Sequence, residues 1–324
     1  MKNNLNIIIL NDTKRAIGHI GCYKVMDNIA LACKKHNLNI IYSFQETDAF
    51  KHDIFYEKLN CVDAVLINGE GTFHDDQSTA VDLLLCAMVA KHVFKKPVFL
   101  INTVWSNNNL IDRYVDVFDL IFTRESLSQR ELSSINVLVK SKVVPDMTFY
   151  SGPQSRHKNT NRILITDSVI PEVNNKLVRL SFFNKTLIRV MGDSLSVAPA
   201  SKMFKLIHKW NLIPFKTLSN EFEIRDAHRI ITGRFHTMCI AMIYGVPFKV
   251  IPSNTHKVEG TMLDTGLNLE LHLVDMTSKM DRKIFNFDFS EEVSNKIFNY
   301  VSEAPKKIDD MFHEIKSFIL QHTK

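Results

Sequence analysis

The chain has 324 residues, about twice the roughly 150 residues of a typical domain, so its length predicts two domains. Its hydrophobic content of 45% and charged content of 23% are those of an ordinary globular protein. Lys and Arg exceed Asp and Glu by only 40 − 35 = 5, with no dense basic run, so we expect no nucleic-acid partner.

The cysteines exclude two further classes of protein. There are five, scattered along the chain and never spaced as C-x-x-C, which argues against a disulfide framework and against a zinc site. We assign no metal-binding residues, although His74, Asp75 and Asp76 are an alternative metal site; adjacent carboxylates at a helix start are more often capping residues. The N-terminal apolar run is too short for a signal peptide, and no stretch approaches the roughly 20 apolar residues of a membrane span. We expect a cytoplasmic protein, with the inner face of the membrane as an alternative place of action.

The first half alternates short apolar runs with segments of helical periodicity. Continuous apolar strands that are each followed by a helix are typical of a parallel sheet covered on both faces. We predict a Rossmann-like, doubly wound α/β domain over residues 1–155. The predicted strands are 6–10, 39–44, 64–69, 97–104, 120–126 and 142–146, and the clearest helices are 23–36 and 80–94.

A polar break at 151–161 is interpreted as the linker to a second Rossmann-like domain over 156–290. Its predicted strands are 162–169, 185–192, 213–219, 229–236 and 247–253. Residues 291–324 are predicted to be helical, with an interruption at Pro305. The apolar stripe of this segment either packs against the body of the protein or makes a peripheral membrane contact. The stripe consists of Met311, Ile315, Phe318 and Ile319.

Several loops that follow strands of the first domain carry groups suited to proton transfer or anion binding. Gly69 and Gly71 flank Glu70. The same loop continues to His74, which is followed directly by Asp75 and Asp76. The alternative interpretation of this loop is a tight turn with polar capping residues. The first loop contains His19 between two glycines, and Arg124 begins an Arg-Glu-Ser sequence. For both we weigh ligand binding against a purely structural role.

The second domain presents cationic groups at two successive strand ends. Arg234 and His236 lie at the end of the predicted strand 229–236, directly before an apolar helix, where amide groups, helix dipole and charge together favour an anion. Asn254 and Lys257 follow the next strand. The alternative is that Arg234 forms a salt bridge and His236 is satisfied in the core. The residues alone predict one strongly anionic small ligand, held on this domain.

Taken in order, these motifs resemble the polysaccharide pyruvyl transferase family, which has a GT-B-like fold. The matching stretches are Gly69-Glu70-Gly71, Arg124-Glu125-Ser126, Pro145-Asp146, Gly233 to Pro247, and Asn254, Lys257 and Gly260. The resemblance implies two Rossmann-like domains in a GT-B-like arrangement with a C-terminal helical segment. The first domain would be the acceptor side and the second the donor side. The chain departs from the family pattern in its first loop, which reads GHIGC.

What the resemblance implies for function is transfer of a pyruvyl group from phosphoenolpyruvate onto a sugar of a cell-surface polysaccharide or its precursor. Phosphoenolpyruvate is then a co-substrate, no further cofactor is expected, and the acceptor is a glycan or lipid-linked sugar. Arg234 and Lys257 are expected to hold the phosphate, and His236 to act as acid or phosphate ligand. Glu70, His74 and His19 are candidate bases.

Two other functions stay open at the level of sequence. One is a GT-B glycosyltransferase that uses a nucleotide-activated sugar, with the same cationic residues on the donor's phosphates. The other is a non-catalytic glycan-binding protein, which has less need of a phosphate-like site.

Overall fold

The computed structural model describes residues 4–15, 18–135, 140–157, 161–170, 172–174, 176–177, 188–190, 216–218, 220–274 and 282–322. The chain divides into two compact units. Unit 1 comprises Met1–Arg15, Val25–Tyr150 and Ala304–Lys324, and unit 2 comprises Ala16–Lys24 and Ser151–Glu303. Each unit therefore contains segments that are distant in sequence, whereas the predicted domains are continuous ranges.

Unit 1 is built on a six-stranded parallel sheet with the order β2-β1-β3-β4-β5-β6. The strands are β1 Leu5–Leu10, β2 Leu38–Phe44, β3 Ala64–Glu70, β4 Val98–Thr103, β5 Leu120–Thr123 and β6 Ser141–Val143. The α-helices are α1 Ile20–Lys35, of which Ile20–Lys24 belong to unit 2, and α2 Asp53–Cys61, α3 Ser78–Met88 and α4 Ser126–Ile135. A π-helical turn, Val89–Val93, extends α3. Every strand predicted for the first half is present, with ends that differ by a few residues.

The apolar runs of unit 1 are continuous because both faces of the sheet are buried. Ile8 and Leu10 of β1 belong to one core cluster, with Phe55 and Trp105. Their neighbours Ile7 and Ile9 belong to a second cluster, together with Ile29 of α1 and Phe312 of the C-terminal helix. Successive side chains of a strand point to opposite faces, so β1 contributes to both clusters.

Unit 2 contains a five-stranded parallel sheet with the order β11-β10-β7-β8-β9. Its strands are β7 Ile163–Ser168, β8 Ile188–Val190, β9 Lys216–Thr217, β10 Arg229–Gly233 and β11 Phe248–Val250. Of the predicted strands 185–192 and 213–219, the parts that fall on β8 and β9 are strands, and most of the rest lies outside the described residues. The helices are α5 Phe222–Arg225, α6 Phe235–Ile243, α7 Lys257–Asp264 and α8 Leu269–His272.

The C-terminal segment is a single helix, α9, which spans Glu291–His322. The predicted interruption at Pro305 is wrong, because the helix continues through this residue. Proline removes one backbone N–H and its hydrogen bond. Apolar side chains on both sides of it are fully buried, among them Val301 and Ile308, and their packing outweighs that loss.

The apolar stripe of α9 lies in the core of unit 1. Met311, Ile315 and Ile319 are buried in the cluster that covers one face of the sheet, and Phe318 is partly buried there. Of the two alternatives for the stripe, the structure therefore shows packing against the body of the protein. Within the part of the chain that the structure describes, no helix is both long and apolar enough to cross a membrane.

Candidate functional site

The predicted anion-binding residues of unit 2 follow two neighbouring strands. In the sheet, β10 lies between β7 and β11, and all three run parallel. Arg234 comes directly after β10, and Lys257 begins the helix that follows β11. Because carboxyl ends of parallel strands meet at one edge of a sheet, the segments that carry the two cations leave the sheet of unit 2 at the same edge.

Arg234 is held by a carboxylate that lies near the end of β7. Its Nε donates to Asp167 Oδ1 at 3.0 Å, and its Nη2 donates to Asp167 Oδ2. Both residues are buried, with 9% of Arg234 and 3% of Asp167 exposed. A bidentate pair of this kind fixes the plane of the guanidinium group. Arg234 therefore forms the salt bridge that was the alternative interpretation of this residue. The salt bridge lies where β7 and β10 end.

Helix α6 starts immediately after Arg234. Arg234 occupies its N-cap position in extended conformation, and the Arg234 backbone N–H donates to Thr232 Oγ1 at 2.9 Å. His236 lies in the first turn of this nine-residue helix and is 7% exposed. The apolar helix predicted after the strand 229–236 is present but begins at Phe235, so the strand ends earlier, at Gly233, and Gly245 follows the helix with a φ of +61°. The start of α6 thus combines a helix dipole, Arg234 and His236.

Lys257 is oriented by the loop that precedes it. Its Nζ donates to Asn254 Oδ1 at 2.7 Å, and Lys257 is buried, with 7% exposed. A buried ammonium group requires compensation, because removing a charge from water is costly. Asn254 supplies part of that compensation and positions the Lys257 side chain at the start of α7.

His19 belongs to unit 2, together with His236, although it precedes the first long helix of the chain. The two imidazole rings lie 5.4 Å apart between centroids, at 87° to each other. The backbone N–H of Cys22 donates to His19 Nδ1 at 3.2 Å, which leaves the ring proton on Nε2. Burial, followed by the charges of His236 and Arg234, lowers the pKa of His19 to about 3. His19 is therefore a neutral ring beside the anion-binding residues, and not a group of the first domain.

Glu70, a candidate base, ends strand β3 in unit 1. Its Oε1 accepts hydrogen bonds from Thr13 Oγ1 and, at 3.2 Å, from Asn68 Nδ2. Burial raises the pKa of Glu70 above its ordinary value, and the negative charge of Asp146 raises it further. The two hydrogen bonds lower the pKa but do not cancel this rise. A carboxyl group with a raised pKa is better matched to proton transfer near neutral pH.

His74 and the two aspartates after it hold one loop against another. His74 Nδ1 lies 2.8 Å from Asp75 Oδ2, and Asp75 Oδ1 accepts from Asn107 Nδ2 at 2.7 Å. Asp76 accepts hydrogen bonds from the backbone amides of residues 109, 110 and 111. These carboxylates accept hydrogen bonds that join the two loops. This agrees with the alternative interpretation of the loop as a tight turn with polar capping residues. His74 is oriented by a carboxylate, which is also the arrangement of many general bases.

The remaining predicted residues of unit 1 have structural partners. A Cβ at Gly69 would lie under 3.0 Å from Thr103, so this glycine permits close packing of β3 against β4. Gly71 lies in the turn that follows. Arg124 is 2% exposed, and its Nη1 donates to Asp146 Oδ2 at 3.2 Å. Glu125 accepts from the amides of the first turn of α4. The Arg-Glu-Ser and Pro-Asp motifs thus contact each other inside unit 1.

Sequence reasoning missed two partners that shape these sites. Asp167 was not singled out, although its place at the end of the predicted strand 162–169 was a usable signal. No sequence feature pointed to Thr13, whose hydroxyl donates a hydrogen bond to Glu70, because the contact joins residues far apart in sequence.

Residues 10–202, more than half of the 324-residue chain, match the family described as polysaccharide pyruvyl transferase. The match contains Glu70 and Arg124, and Arg234 and Lys257 lie beyond its end. No curated protein matches the chain significantly.

Three solved structures are similar in fold over nearly the whole chain. UDP-GlcNAc 2-epimerase from Methanocaldococcus jannaschii is 15% identical, with 97% of this chain and 99% of that chain covered and a TM-score of 0.50. Acinetobacter baumannii MurG is 13% identical, with 96% and 99% covered and a TM-score of 0.52. S. aureus MnaA, solved with UDP, is 10% identical, with 94% and 90% covered and a TM-score of 0.53.

These likenesses support the predicted α/β, GT-B-like fold class and, at such low identity, nothing beyond it. The family match supplies the class of enzyme, which is a transferase of polysaccharide biosynthesis. The motifs in unit 1 and the extent of the match lead to one assignment: the chain belongs to the polysaccharide pyruvyl transferase family.

Proposed function

We propose that the protein transfers the pyruvyl group of phosphoenolpyruvate onto two hydroxyls of a sugar in a cell-surface polysaccharide or its precursor. The observation that carries this proposal is the pair of buried cations, Arg234 and Lys257, in the segments that follow two adjacent strands of unit 2. Membership of the family supplies the reaction class.

The donor carries a phosphate and a carboxylate, and the strand ends of unit 2 offer matching groups. Arg234 and Lys257 would neutralise the phosphate, with the first amides of α6 as additional donors. Asn254 holds Lys257 in place, and Asp167 holds Arg234, so little side-chain ordering is left for binding.

The reaction forms two C–O bonds at C2 of phosphoenolpyruvate and breaks the bond between C2 and the phosphate oxygen. Of the two hydroxyl protons of the acceptor, one is balanced by the proton added to C3, and the other leaves with the phosphate. His236 is our candidate for the acid that protonates C3 or the phosphate, because it lies in the first turn of α6.

The base that activates the acceptor is proposed to come from unit 1. Glu70 is the first candidate because its pKa is raised, and His74 the second because Asp75 orients it. His19, the third, lies beside His236 and is neutral, so it would act on the donor side. Since phosphoenolpyruvate is made in the cytoplasm, we place the reaction there, and a lipid-linked acceptor would bring it to the inner face of the membrane.

A nucleotide-activated sugar is the second candidate donor. Similar folds occur in MnaA, whose structure was solved with UDP, and the same cations could bind a diphosphate. A thermal-shift experiment with phosphoenolpyruvate and with UDP-GlcNAc separates the two. We expect phosphoenolpyruvate to raise Tm and UDP-GlcNAc to leave it unchanged. The reverse result would exclude the proposed donor.

A further inference from the structure

The sequence GHIGC departs from the family pattern, and the proposed reaction leaves part of it unused. The structure brings two of its residues to the anion-binding helix. One candidate ligand atom from each of His19, Cys22 and His236 lies within 4.8 Å of the other two. We propose that these three residues, the His–Cys–His cluster, bind a transition-metal ion of the Zn²⁺ type through two imidazole nitrogens and one thiolate.

The spacing is close to that of a bound ion. An ion at the centre of a triangle with 4.8 Å edges would lie about 2.8 Å from each ligand atom, whereas zinc bonds measure about 2.0–2.3 Å. Each side chain therefore has to move inward by roughly 0.5–0.8 Å, which small rotations about its χ angles provide.

Local structure explains why the three residues converge. His19 directly precedes α1 and Cys22 lies in its first turn, so the spacing of three residues places both on one side of the helix. Gly21, between them, abuts the His236 ring, and a Cβ there would lie under 3.0 Å from the Cβ of His236. The absence of a side chain at Gly21 is what allows this segment to approach the start of α6.

The chemistry of the cluster selects the kind of metal. Two imidazoles and a thiolate are ligands that Zn²⁺ and Co²⁺ accept, and Mg²⁺ or Ca²⁺ prefer oxygen. Three protein ligands leave a fourth position for water or for an oxygen of an anion, as in catalytic zinc sites.

No metal-binding residues were predicted from the sequence, where no pair of cysteines has the spacing of a zinc site. That reasoning could not detect a site whose third ligand lies in the other half of the chain. The metal site stands on the geometry of unit 2 and does not depend on which donor the enzyme uses. In the metal-bound protein, His236 would act on an anion through the ion rather than by direct contact.

The test uses the full-length protein, freed of metal with a chelator and kept reduced. Titration with Co²⁺ should produce the visible bands of a four-coordinate ion and a near-ultraviolet thiolate-to-cobalt charge-transfer band, and Zn²⁺ should abolish both. The Cys22→Ser variant should lose the charge-transfer band. His19→Gln should weaken Co²⁺ binding by at least about 100-fold, since loss of a supporting residue alone weakens metal sites by about 10–100-fold.

Cys61→Ser is the matched control, because Cys61 is an exposed free thiol in unit 1 and should leave the spectrum unchanged. His19→Gln keeps the test decisive if Cys22→Ser does not fold. The proposal is overturned if wild-type protein shows no thiolate-to-cobalt band, or if that band survives in Cys22→Ser. A loss of the band in Cys61→Ser would overturn it as well. None of these readouts requires phosphoenolpyruvate, so they are independent of the proposed function.

Discussion

The buried pair between Arg234 and Asp167 allows a quantitative test of how the anion site is built. Arg234→Gln leaves a carboxylate that is 3% exposed without its bidentate partner, and Asp167→Asn leaves a buried guanidinium group without its counter-charge. Removing one member of a buried ion pair costs about 3–5 kcal/mol of the free energy of unfolding.

The double variant should be less damaging than the sum of the two single variants, because neither amide leaves a buried charge of the pair behind. We expect a coupling energy of about 2–3 kcal/mol. Urea denaturation followed by far-ultraviolet circular dichroism measures all four proteins. Lys296→Gln is the control, since its ion pair with Glu292 in unit 2 is exposed and should contribute at most about 0.5 kcal/mol.

The reasoning is refuted if each single variant costs less than about 1 kcal/mol. It is equally refuted if the two costs add without coupling, because the pair would then not act as a unit.

Three further predictions concern single positions. Gly21→Ala should lower the free energy of unfolding by about 1–3 kcal/mol through overpacking, whereas Gly245→Asn, where nothing lies within 4 Å, should change it little. Equal effects in chemical denaturation would contradict the close approach at Gly21. Glu70 has a raised pKa in the folded state, so its stabilising contribution is present below its ordinary pKa and is lost as pH rises. The difference in Tm between Glu70→Gln and wild type should therefore grow as pH rises above the ordinary pKa of a glutamate, and a difference that stays constant would contradict the raised pKa of Glu70. Asn254→Ala should weaken phosphoenolpyruvate binding by about tenfold, because it removes the oxygen that Lys257 bonds at 2.7 Å, and unchanged affinity in calorimetry would exclude that role.

The sheets were predictable from sequence because their central strands are buried on both faces. The run that forms β1 contributes Ile7 to one core cluster and Ile8 to the other, so positions 7–10 are all apolar. A continuous apolar run can be recognised as a buried strand without knowing which segments pack against it.

The C-terminal helix shows where local rules fail. Pro305 is a strong local signal for an interruption, and the helix nevertheless continues, because apolar side chains on both sides of it are buried. Burial of these side chains stabilises the helix by more than the one lost hydrogen bond costs.

The candidate site was predictable only in part. Residue type and position after a strand were enough to select Arg234 and Lys257. Asp167, which orients Arg234, and Cys22, which lies near His236, depend on contacts between distant segments. Arg124 was selected on the same grounds as Arg234, and the structure places it in a buried pair with Asp146. Sequence reasoning could not distinguish these two arginines, because their partners follow from the tertiary fold.

The central claim is that Arg234 and Lys257 hold phosphoenolpyruvate, and calorimetric titration tests it most directly. Wild-type protein should bind phosphoenolpyruvate, and Lys257→Met should bind it about 10–100-fold more weakly, as expected for loss of a charged hydrogen-bond donor. Lys296→Met, which removes an exposed charge from the same unit, should bind like wild type. If Lys257→Met and Lys296→Met both bind phosphoenolpyruvate as wild type does, or if wild type does not bind it at all, the account of the donor site is wrong.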